Sequence, residues 1–239
     1  HDALPISHRQ LAWIFWLKAN LPIRTGYHTI RHRSAVNLMI PKKANSPEVT
    51  QLRTLGLLDS EFNANNQRLG HTAINAALQL NQIAPEQYSR PNRSAAAHGL
   101  NRALMFDHQR YIRQPWSLAC SDLKSCYDRV LHAAASLALQ RLGLPTDWIV
   151  GKFDCIQRMI YRLRTAYGDS DTTYGGDDVP EGYALLPQGL VQGNGSTPQC
   201  WSIVSSTIFF ALRKLGLSSK FISALSSARS EEHTSELQS

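Results

Sequence analysis

An apolar segment that ends in an aspartate, Trp116-Ser-Leu-Ala-Cys-Ser-Asp122, constrains the fold of this chain more than any other feature. Its composition predicts a β-strand, and an aromatic residue follows in Leu123-Lys-Ser-Cys-Tyr127-Asp128. A lone aspartate after a strand is more often a turn or cap residue. The interpretation of Asp122 as a functional residue therefore depends on the whole sequence from Asp122 to Asp128. A strand end holds a carboxylate rigidly, and Mg²⁺ prefers carboxylate oxygens. The segment therefore offers a carboxylate that can hold a metal, beside an aromatic side chain.

A glycine-rich stretch further along the chain, Gln192-Gly-Asn-Gly-Ser-Thr-Pro198, opens a predicted apolar helix. Glycines let the backbone approach a base or a sugar closely, and the N-terminus of a helix favours phosphate. The stretch lacks the Gly-Lys-Ser/Thr sequence of a nucleoside-triphosphatase phosphate loop. It therefore predicts a nucleotide pocket of another type.

The positive charge is concentrated in one half of the chain. Residues 8–114 contain 14 Lys and Arg against 5 Asp and Glu, a net charge of 14 − 5 = +9. Residues 115–228 contain 10 against 9, a net charge of 10 − 9 = +1. A basic part can grip phosphates while an aspartate-containing part holds metal, although a solvated basic surface without a partner gives the same count.

The predicted elements mix helices and strands, and we expect an α+β fold. Hydrophobic periodicity predicts helices at about 8–20, 61–80, 93–114, 128–142, 147–159 and 197–215. Strands are predicted at 35–43, 51–58 and 116–122, with a hairpin within 163–183. The apolar run at 11–17 is too short to span a bilayer, so we expect no membrane partner. The cysteines Cys120, Cys126, Cys155 and Cys200 form no C-x-x-C pair, and we expect free thiols in a reducing, intracellular compartment, either nucleus or cytoplasm.

These two motifs, in this order, resemble motifs A and B of the reverse transcriptase palm, and the form Gln-Gly-Asn-Gly is closest to retroelement enzymes. The resemblance covers most of 34–215. Motif B continues from Gln-Gly with three residues, then Ser or Thr, then Pro. Only the register that begins at Gln192 satisfies this pattern, whereas Pro187-Gln188-Gly189 does not. The resemblance implies right-hand polymerase fingers at 7–114 and a partial palm at 115–228.

The resemblance also assigns roles to individual residues. Asp122 is the catalytic aspartate that binds the first of two Mg²⁺ ions, with help from the carbonyl of Leu123, and Tyr127 excludes a ribose 2′-hydroxyl. The implied nucleotide-binding residues are Lys43, Arg53, Tyr127, Gln192 and Gly193, and the implied template-binding residues are Arg90, Arg93 and Asn194. The expected partners are an RNA template, a DNA or RNA primer and a deoxynucleoside triphosphate.

Asp177-Asp178 has the composition of polymerase motif C but precedes motif B, whereas palm order requires motif C to follow it. We expect this pair to be a solvated turn. Motif C is then expected after Leu215, so the second Mg²⁺ site is incomplete and this polypeptide should be inactive by itself.

Both ends resemble in-frame translations of sequencing adapters, at 1–6 and at 229–239. We therefore interpret the sequence as a fragment and exclude both ends from fold reasoning.

Two alternatives remain open at this point. One is an RNA-dependent RNA polymerase, whose motif A also pairs two aspartates; Tyr127 and the early position of Asp177-Asp178 argue against it. The other is a decayed, non-catalytic remnant that binds nucleic acid through its basic half.

Overall fold

The computed structural model describes residues 9–42, 48, 51–89, 93–113, 115, 126–177 and 188–216. Within these residues the chain forms six α-helices and four β-strands in one mixed sheet, which agrees with the expected α+β class. The helices are α1 (Arg9–Thr25), α2 (Ser60–Gln79), α3 (Ala95–Ile112), α4 (His132–Arg141), α5 (Thr146–Gln157) and α6 (Thr197–Lys214). The strands are β1 (Ser34–Pro41), β2 (Leu52–Leu58), β3 (Ile160–Thr165) and β4 (Gly168–Gly175). No described helix is long and apolar enough to cross a membrane.

The sheet has the order β2-β1-β3-β4 and joins two hairpins that are far apart in sequence. β1 pairs antiparallel with β2, and β3 pairs antiparallel with β4. Between the hairpins, β1 and β3 run parallel, with Ser34 opposite Ile160 and Leu38 opposite Arg164. The predicted strands at 35–43 and 51–58 correspond to β1 and β2, and the hairpin predicted within 163–183 corresponds to β3 and β4 but begins earlier, at Ile160. The predicted strand at 116–122 lies outside the described residues.

The chain divides into two compact units, and two of the three boundaries between them fall inside α2 and α6. The first unit consists of residues 1–76 and 125–201, and it contains the sheet, α1, α4 and α5. Its core includes Phe62 and Leu69 on α2 together with Ile149 and Ile156 on α5. The division into fingers and palm at residue 114 stays a prediction.

The second unit consists of residues 77–124 and 202–239, and its described part is held together by serine hydroxyls of α6. Ser205 Oγ accepts a hydrogen bond from Gln87 Nε2 at 2.7 Å, and Ser206 Oγ accepts one from the Ala84 amide at 3.2 Å. Ser202 Oγ donates to the Ser89 carbonyl at 2.7 Å. In this unit α3 begins after Ser94, whose Oγ accepts from the Ala97 amide at 3.1 Å and so caps the helix.

The buried faces of two helices differ from their apolar patterns. On α6, periodicity predicts an inward face of Trp201, Val204, Ile208, Ala211 and Leu215, but the first two are half-buried and the last three are exposed. The serine face, with Ser202, Ser205 and Ser206, is buried instead. Small hydroxyl side chains can satisfy nearby backbone groups at close range, which apolar periodicity does not register. On α1, the apolar residues Trp13, Phe15 and Trp16 are also exposed, and Pro22 is the buried residue of this helix.

Glycines allow α1 to end directly against α5. Gly26 follows α1 with a φ of 66°, and its amide donates to the Pro22 carbonyl at 3.0 Å. A Cβ at Gly151 of α5 would lie 2.4 Å from the Gly26 carbonyl oxygen. The two backbones therefore approach more closely than any side chain permits.

We expect Gly151→Ala to destabilise the protein by about 1–3 kcal/mol, because the added methyl group overlaps the Gly26 backbone. The matched control is Gly99→Ala on α3, where an added Cβ meets nothing within 4 Å. Alanine has the higher helix propensity, so the control should be neutral or slightly stabilising. Thermal denaturation followed by circular dichroism measures both changes. An unchanged midpoint for Gly151→Ala would show that the two helices can separate without cost.

Candidate functional site

The residues of the predicted nucleotide pocket that the structure describes lie mainly in one loop, residues 188–196, which we call the glycine loop. It precedes α6 and contains Gln192, Gly193 and Asn194. The loop and the segments that it hydrogen-bonds belong to the first unit.

One side of the glycine loop is attached to the 3₁₀ helix Cys126–Arg129, which contains Tyr127. The Leu190 amide donates to the Tyr127 carbonyl at 2.8 Å, and the Gly189 amide donates to the Val130 carbonyl at 3.0 Å. A Cβ at Gly189 would lie 2.6 Å from Asp128 Cα. The segment around Tyr127 and the glycine loop are therefore in direct backbone contact.

The other side of the glycine loop is attached to β2 and α2. The Gly56 amide of β2 donates to the Gln192 carbonyl at 2.6 Å, and the Gly195 amide donates to Asn63 Oδ1 of α2 at 2.6 Å. A Cβ at Gly193 would lie 2.2 Å from the Gly56 carbonyl oxygen, and Gly193 has a φ of 112°. Glycine is therefore required at position 193 both for space and for backbone conformation.

Inside the loop, Asn194 fixes the turn that leads into α6. Its Oδ1 accepts hydrogen bonds from the Ser196 amide at 3.0 Å and the Ser196 hydroxyl at 2.9 Å. Asn194 is 3% exposed, and its Nδ2 has no hydrogen-bond partner in the described part of the chain. This buried donor is an unsatisfied polar group at the position where the sequence predicts contact with the template.

Val191 has a φ of 59°, which a β-branched residue rarely adopts. It precedes Gln192 and lies against Gly56, where an added Cβ would be 2.6 Å from Val191 Cγ1. Strained backbone of this kind persists only where its surroundings enforce it. Here the hydrogen bonds at residues 190, 192 and 195 hold both ends of the loop.

The remaining predicted site residues are distributed as follows. Arg53 is exposed on β2 opposite Ile40, and exposed Arg93 lies in the second unit with its guanidinium 5.8 Å from the centre of the Tyr88 ring. Asp122, Leu123, Lys43 and Arg90 lie outside the described residues, and so does Cys120. The three described cysteines, Cys126, Cys155 and Cys200, are free thiols, as expected.

Tyr127 is half-buried, with its ring 6.2 Å from that of Trp201 in an edge arrangement. Burial, and then the neighbouring Cys126, raise the pKa of its hydroxyl. The side chain is therefore neutral at physiological pH and can act through its shape. The helix predicted at 128–142 begins later, at His132, so Leu131 and not Asp128 stands at its N-cap position.

The Asp177 carboxylate is mostly exposed and lies 3.8 Å from both Arg33 Nη1 and Arg158 Nη1. Asp177 is therefore an exposed carboxylate near two arginines, half-buried Arg33 and exposed Arg158. Asp178 lies beyond the described part of the hairpin.

The sequence analysis missed the role of Gln188 and His132. Gln188 Oε1 accepts a hydrogen bond from the His132 amide at 3.0 Å, which caps the start of α4. His132 Nε2 lies 2.6 Å from the Gly189 carbonyl and therefore carries the proton, while Nδ1 lies 3.1 Å from Gln157 Nε2 and accepts from it. Within the rejected Pro187-Gln188-Gly189 register, Gln188 and Gly189 thus have a structural role. A glutamine next to a glycine was the sequence feature that could have indicated it.

Two further residues form a polar contact in the first unit that sequence did not indicate. Lys152 is 1% exposed, and its Nζ lies 3.4 Å from Cys200 Sγ and 4.8 Å from the centre of the Phe153 ring.

The Cys155 thiol lies on α5. Burial raises its pKa to about 12, which makes this thiol unreactive.

Another group of side chains combines one histidine with two carboxylates. One possible ligand atom from each of His32, Asp59 and Glu61 lies within 4.8 Å of the others. This group could hold a metal ion. It contains none of the residues that the sequence analysis assigned to magnesium.

No protein-family model matches this chain, and no curated protein matches it.

We expect Gly56→Ala to destabilise the protein by about 1–3 kcal/mol, because its methyl group would overlap Val191 Cγ1. Val191→Ala removes that atom, so Gly56→Ala should cost less in this background. A double-mutant cycle by urea denaturation should give a coupling energy of roughly 0.5–3 kcal/mol. If the two changes in unfolding free energy were additive, Val191 of the glycine loop would not pack against Gly56 of β2.

We expect His132 to make the protein less stable in mild acid. Burial lowers its pKa, outweighing the hydrogen bond to the Gly189 carbonyl, which raises it. Well above pH 6.5, the ordinary pKa of histidine, the ring is neutral in both the folded and the unfolded state. As the pH falls through this value the unfolded state takes up the proton first, so the free energy of unfolding falls.

The variant His132→Gln should therefore lose less stability than the wild type between pH 7 and pH 5. His71→Gln is the control, because His71 is exposed on α2. Urea denaturation across this pH range measures the difference. Parallel curves for wild type and His132→Gln would contradict the assignment of a neutral, hydrogen-bonded imidazole.

Proposed function

We propose that this chain is the fingers and partial palm of an RNA-directed DNA polymerase of a retroelement. The observation that carries the proposal is the meeting of three distant segments at the glycine loop. The amide of Leu190 bonds the carbonyl of Tyr127, the carbonyl of Gln192 accepts from Gly56 on β2, and Gly195 bonds Asn63 on α2. The resemblance implies a nucleotide pocket to which Tyr127, Arg53 of β2 and the glycine loop all contribute.

The chemistry that this reading assigns to the chain is attack of a primer 3′-hydroxyl on the α-phosphate of a deoxynucleoside triphosphate. In this reaction the protein contributes mainly positioning and charge neutralisation. Gln192 and Gly193 would bring the backbone against the base and sugar, and Arg53 would offer a guanidinium to the triphosphate. Tyr127 would select against a ribose 2′-hydroxyl by contact with its ring.

Asp122 and the carbonyl of Leu123 would hold Mg²⁺, as the resemblance implies. When bound, Mg²⁺ would neutralise charge on the phosphates. Both residues lie outside the described part of the chain, so the support for the proposal comes from the motif string and from the glycine loop. The positive net charge of residues 8–114 is suited to binding the phosphates of a template and a primer.

The test uses the open reading frame that contains this chain together with the segment after residue 216. We expect it to extend a DNA primer on an RNA template with deoxynucleotides and Mg²⁺, and we expect Asp122→Asn to abolish extension. Tyr127→Ala should raise the use of ribonucleotides relative to deoxynucleotides by roughly ten- to hundred-fold. The matched control is Tyr167→Ala, because Tyr167 is fully exposed in the turn between β3 and β4.

The other outcomes separate the alternatives. Wild-type extension that prefers ribonucleotides would identify an RNA-dependent RNA polymerase instead. Binding to template and primer that weakens steeply with salt, without extension under any condition, would identify a non-catalytic remnant. Either result would overturn the proposal.

A further inference from the structure

The His32, Asp59 and Glu61 side chains form a cluster in the first unit, separate from the glycine loop. His32 belongs to the 3₁₀ helix Ile30–Arg33 and is 4% exposed. Asp59 joins β2 to α2, and Glu61 lies in the first turn of α2. We propose that this cluster, called the His32 cluster below, binds one Zn²⁺ ion. The proposal is independent of the polymerase assignment.

The distances within the cluster suit a metal ion better than direct hydrogen bonds. His32 Nε2 lies 3.8 Å from Asp59 Oδ1 and 3.7 Å from Glu61 Oε2. Hydrogen bonds between nitrogen and oxygen are about 2.7–3.2 Å long, so neither contact is one. A tetrahedral zinc ion with bonds of about 2.0–2.2 Å places its ligand atoms roughly 3.3–3.6 Å apart. A contraction of a few tenths of an ångström would bring His32 Nε2 to that distance from each carboxylate oxygen, and one possible ligand atom from each of the three residues already lies within 4.8 Å of the others.

Each carboxylate uses its other oxygen to bind a cation of the protein. Asp59 Oδ2 accepts from Arg31 Nε at 2.8 Å, and Glu61 Oε1 accepts from Lys18 Nζ at 2.8 Å. Oδ1 and Oε2 are the oxygens that remain near His32 Nε2. This is the usual arrangement around metal-binding carboxylates, which are themselves hydrogen-bonded and so held in orientation.

Asp59 Oδ1 also caps α2, because it accepts the amides of Glu61 at 2.9 Å and Phe62 at 3.2 Å. A metal ion at this oxygen would compete with the longer of the two bonds, the one from Phe62. Arg31 and Lys18 also offset the two negative charges. We therefore expect moderate affinity rather than the very tight binding of a cysteine-rich zinc site.

His32 has a partner that can fix its tautomer. Its Nδ1 lies 3.3 Å from Nδ1 of His28, which is itself buried. If His32 donates this hydrogen bond, its lone pair is at Nε2, the atom nearest the two carboxylate oxygens. A neutral imidazole oriented through its second nitrogen is the common form of a histidine metal ligand.

The donor set selects the metal. One imidazole nitrogen and two carboxylate oxygens suit Zn²⁺, with water as a fourth ligand. Mg²⁺ prefers oxygen donors alone in octahedral geometry. The His32 cluster should therefore discriminate between these ions, unlike an all-carboxylate site. A bound ion would join the 3₁₀ helix to the junction of β2 and α2.

The experiment is a zinc titration of the full chain after removal of metal with a chelator at neutral pH. Thermal denaturation should show a rise in midpoint of several degrees with Zn²⁺ and no rise with the same concentration of Mg²⁺. Substitution with Co²⁺ should give the visible absorption of a tetrahedral ion at a stoichiometry of one. Glu61→Gln and His32→Gln should each weaken Zn²⁺ binding at least ten-fold.

Glu61 is partly exposed, so Glu61→Gln should keep the fold even if His32→Gln does not, and circular dichroism checks both. The control is the exposed His71→Gln, which should bind Zn²⁺ like the wild type. The proposal falls if Zn²⁺ leaves the midpoint unchanged. It falls equally if a folded Glu61→Gln binds as tightly as the wild type, because the zinc would then sit on other histidines.

Discussion

The parallel pairing of β1 with β3 is the contact on which the first unit depends. Residues 34–38 meet residues 160–164, so the pairing closes a long stretch of chain. Each hairpin alone is a two-stranded sheet, which is marginal in water. Joined along β1 and β3 they form four strands against which helices can pack. Loop-closure entropy opposes such distant contacts, so the buried apolar residues of α2 and α5 must offset it.

The position of the glycine loop follows from that sheet. β2 lies at the edge beside β1, and its Gly56 amide is used to bind the Gln192 carbonyl. The edge of β2 thereby receives a partner from the loop instead of exposing a free amide at this residue. Tyr127 and Asn63 fix the loop from the other sides. The candidate pocket is therefore tied to the frame at several points, which is what preorganised binding requires.

Much of the local structure could be predicted from sequence, because it depends on local signals. Periodicity located α2 and α5, apolar strand patterns located β1 and β2, and the composition of 163–183 located the β3–β4 hairpin. The pattern around Thr197-Pro198 located the start of α6. The register of motif B was chosen from the spacing of Ser, Thr and Pro. What could not be predicted depends on distant contacts. Nothing local to Ser202, Ser205 or Ser206 indicates that α6 buries its hydroxyl face rather than its apolar one.

The same limit applies to the sites. Residues 32, 59 and 61 show no ligand spacing in sequence, since His32 reaches the carboxylates only after β1 and β2 have paired. Gln188 could be suspected of a role from its glycine neighbour, but its partner, the amide of His132, follows from packing. The concentration of positive charge in residues 8–114, by contrast, can be counted directly from the sequence.

The close approach of Gly56 and Gly193 has a consequence for how mutational data on this protein are interpreted. Neither residue has a side chain that could take part in chemistry. A Cβ at Gly193 would nevertheless overlap the Gly56 backbone, and a Cβ at Gly56 would overlap the neighbouring Val191 side chain. In a saturation library both positions would tolerate almost nothing, as catalytic positions do. Only a measurement that separates abundance from activity would distinguish them, because these glycines would be depleted through loss of the folded protein.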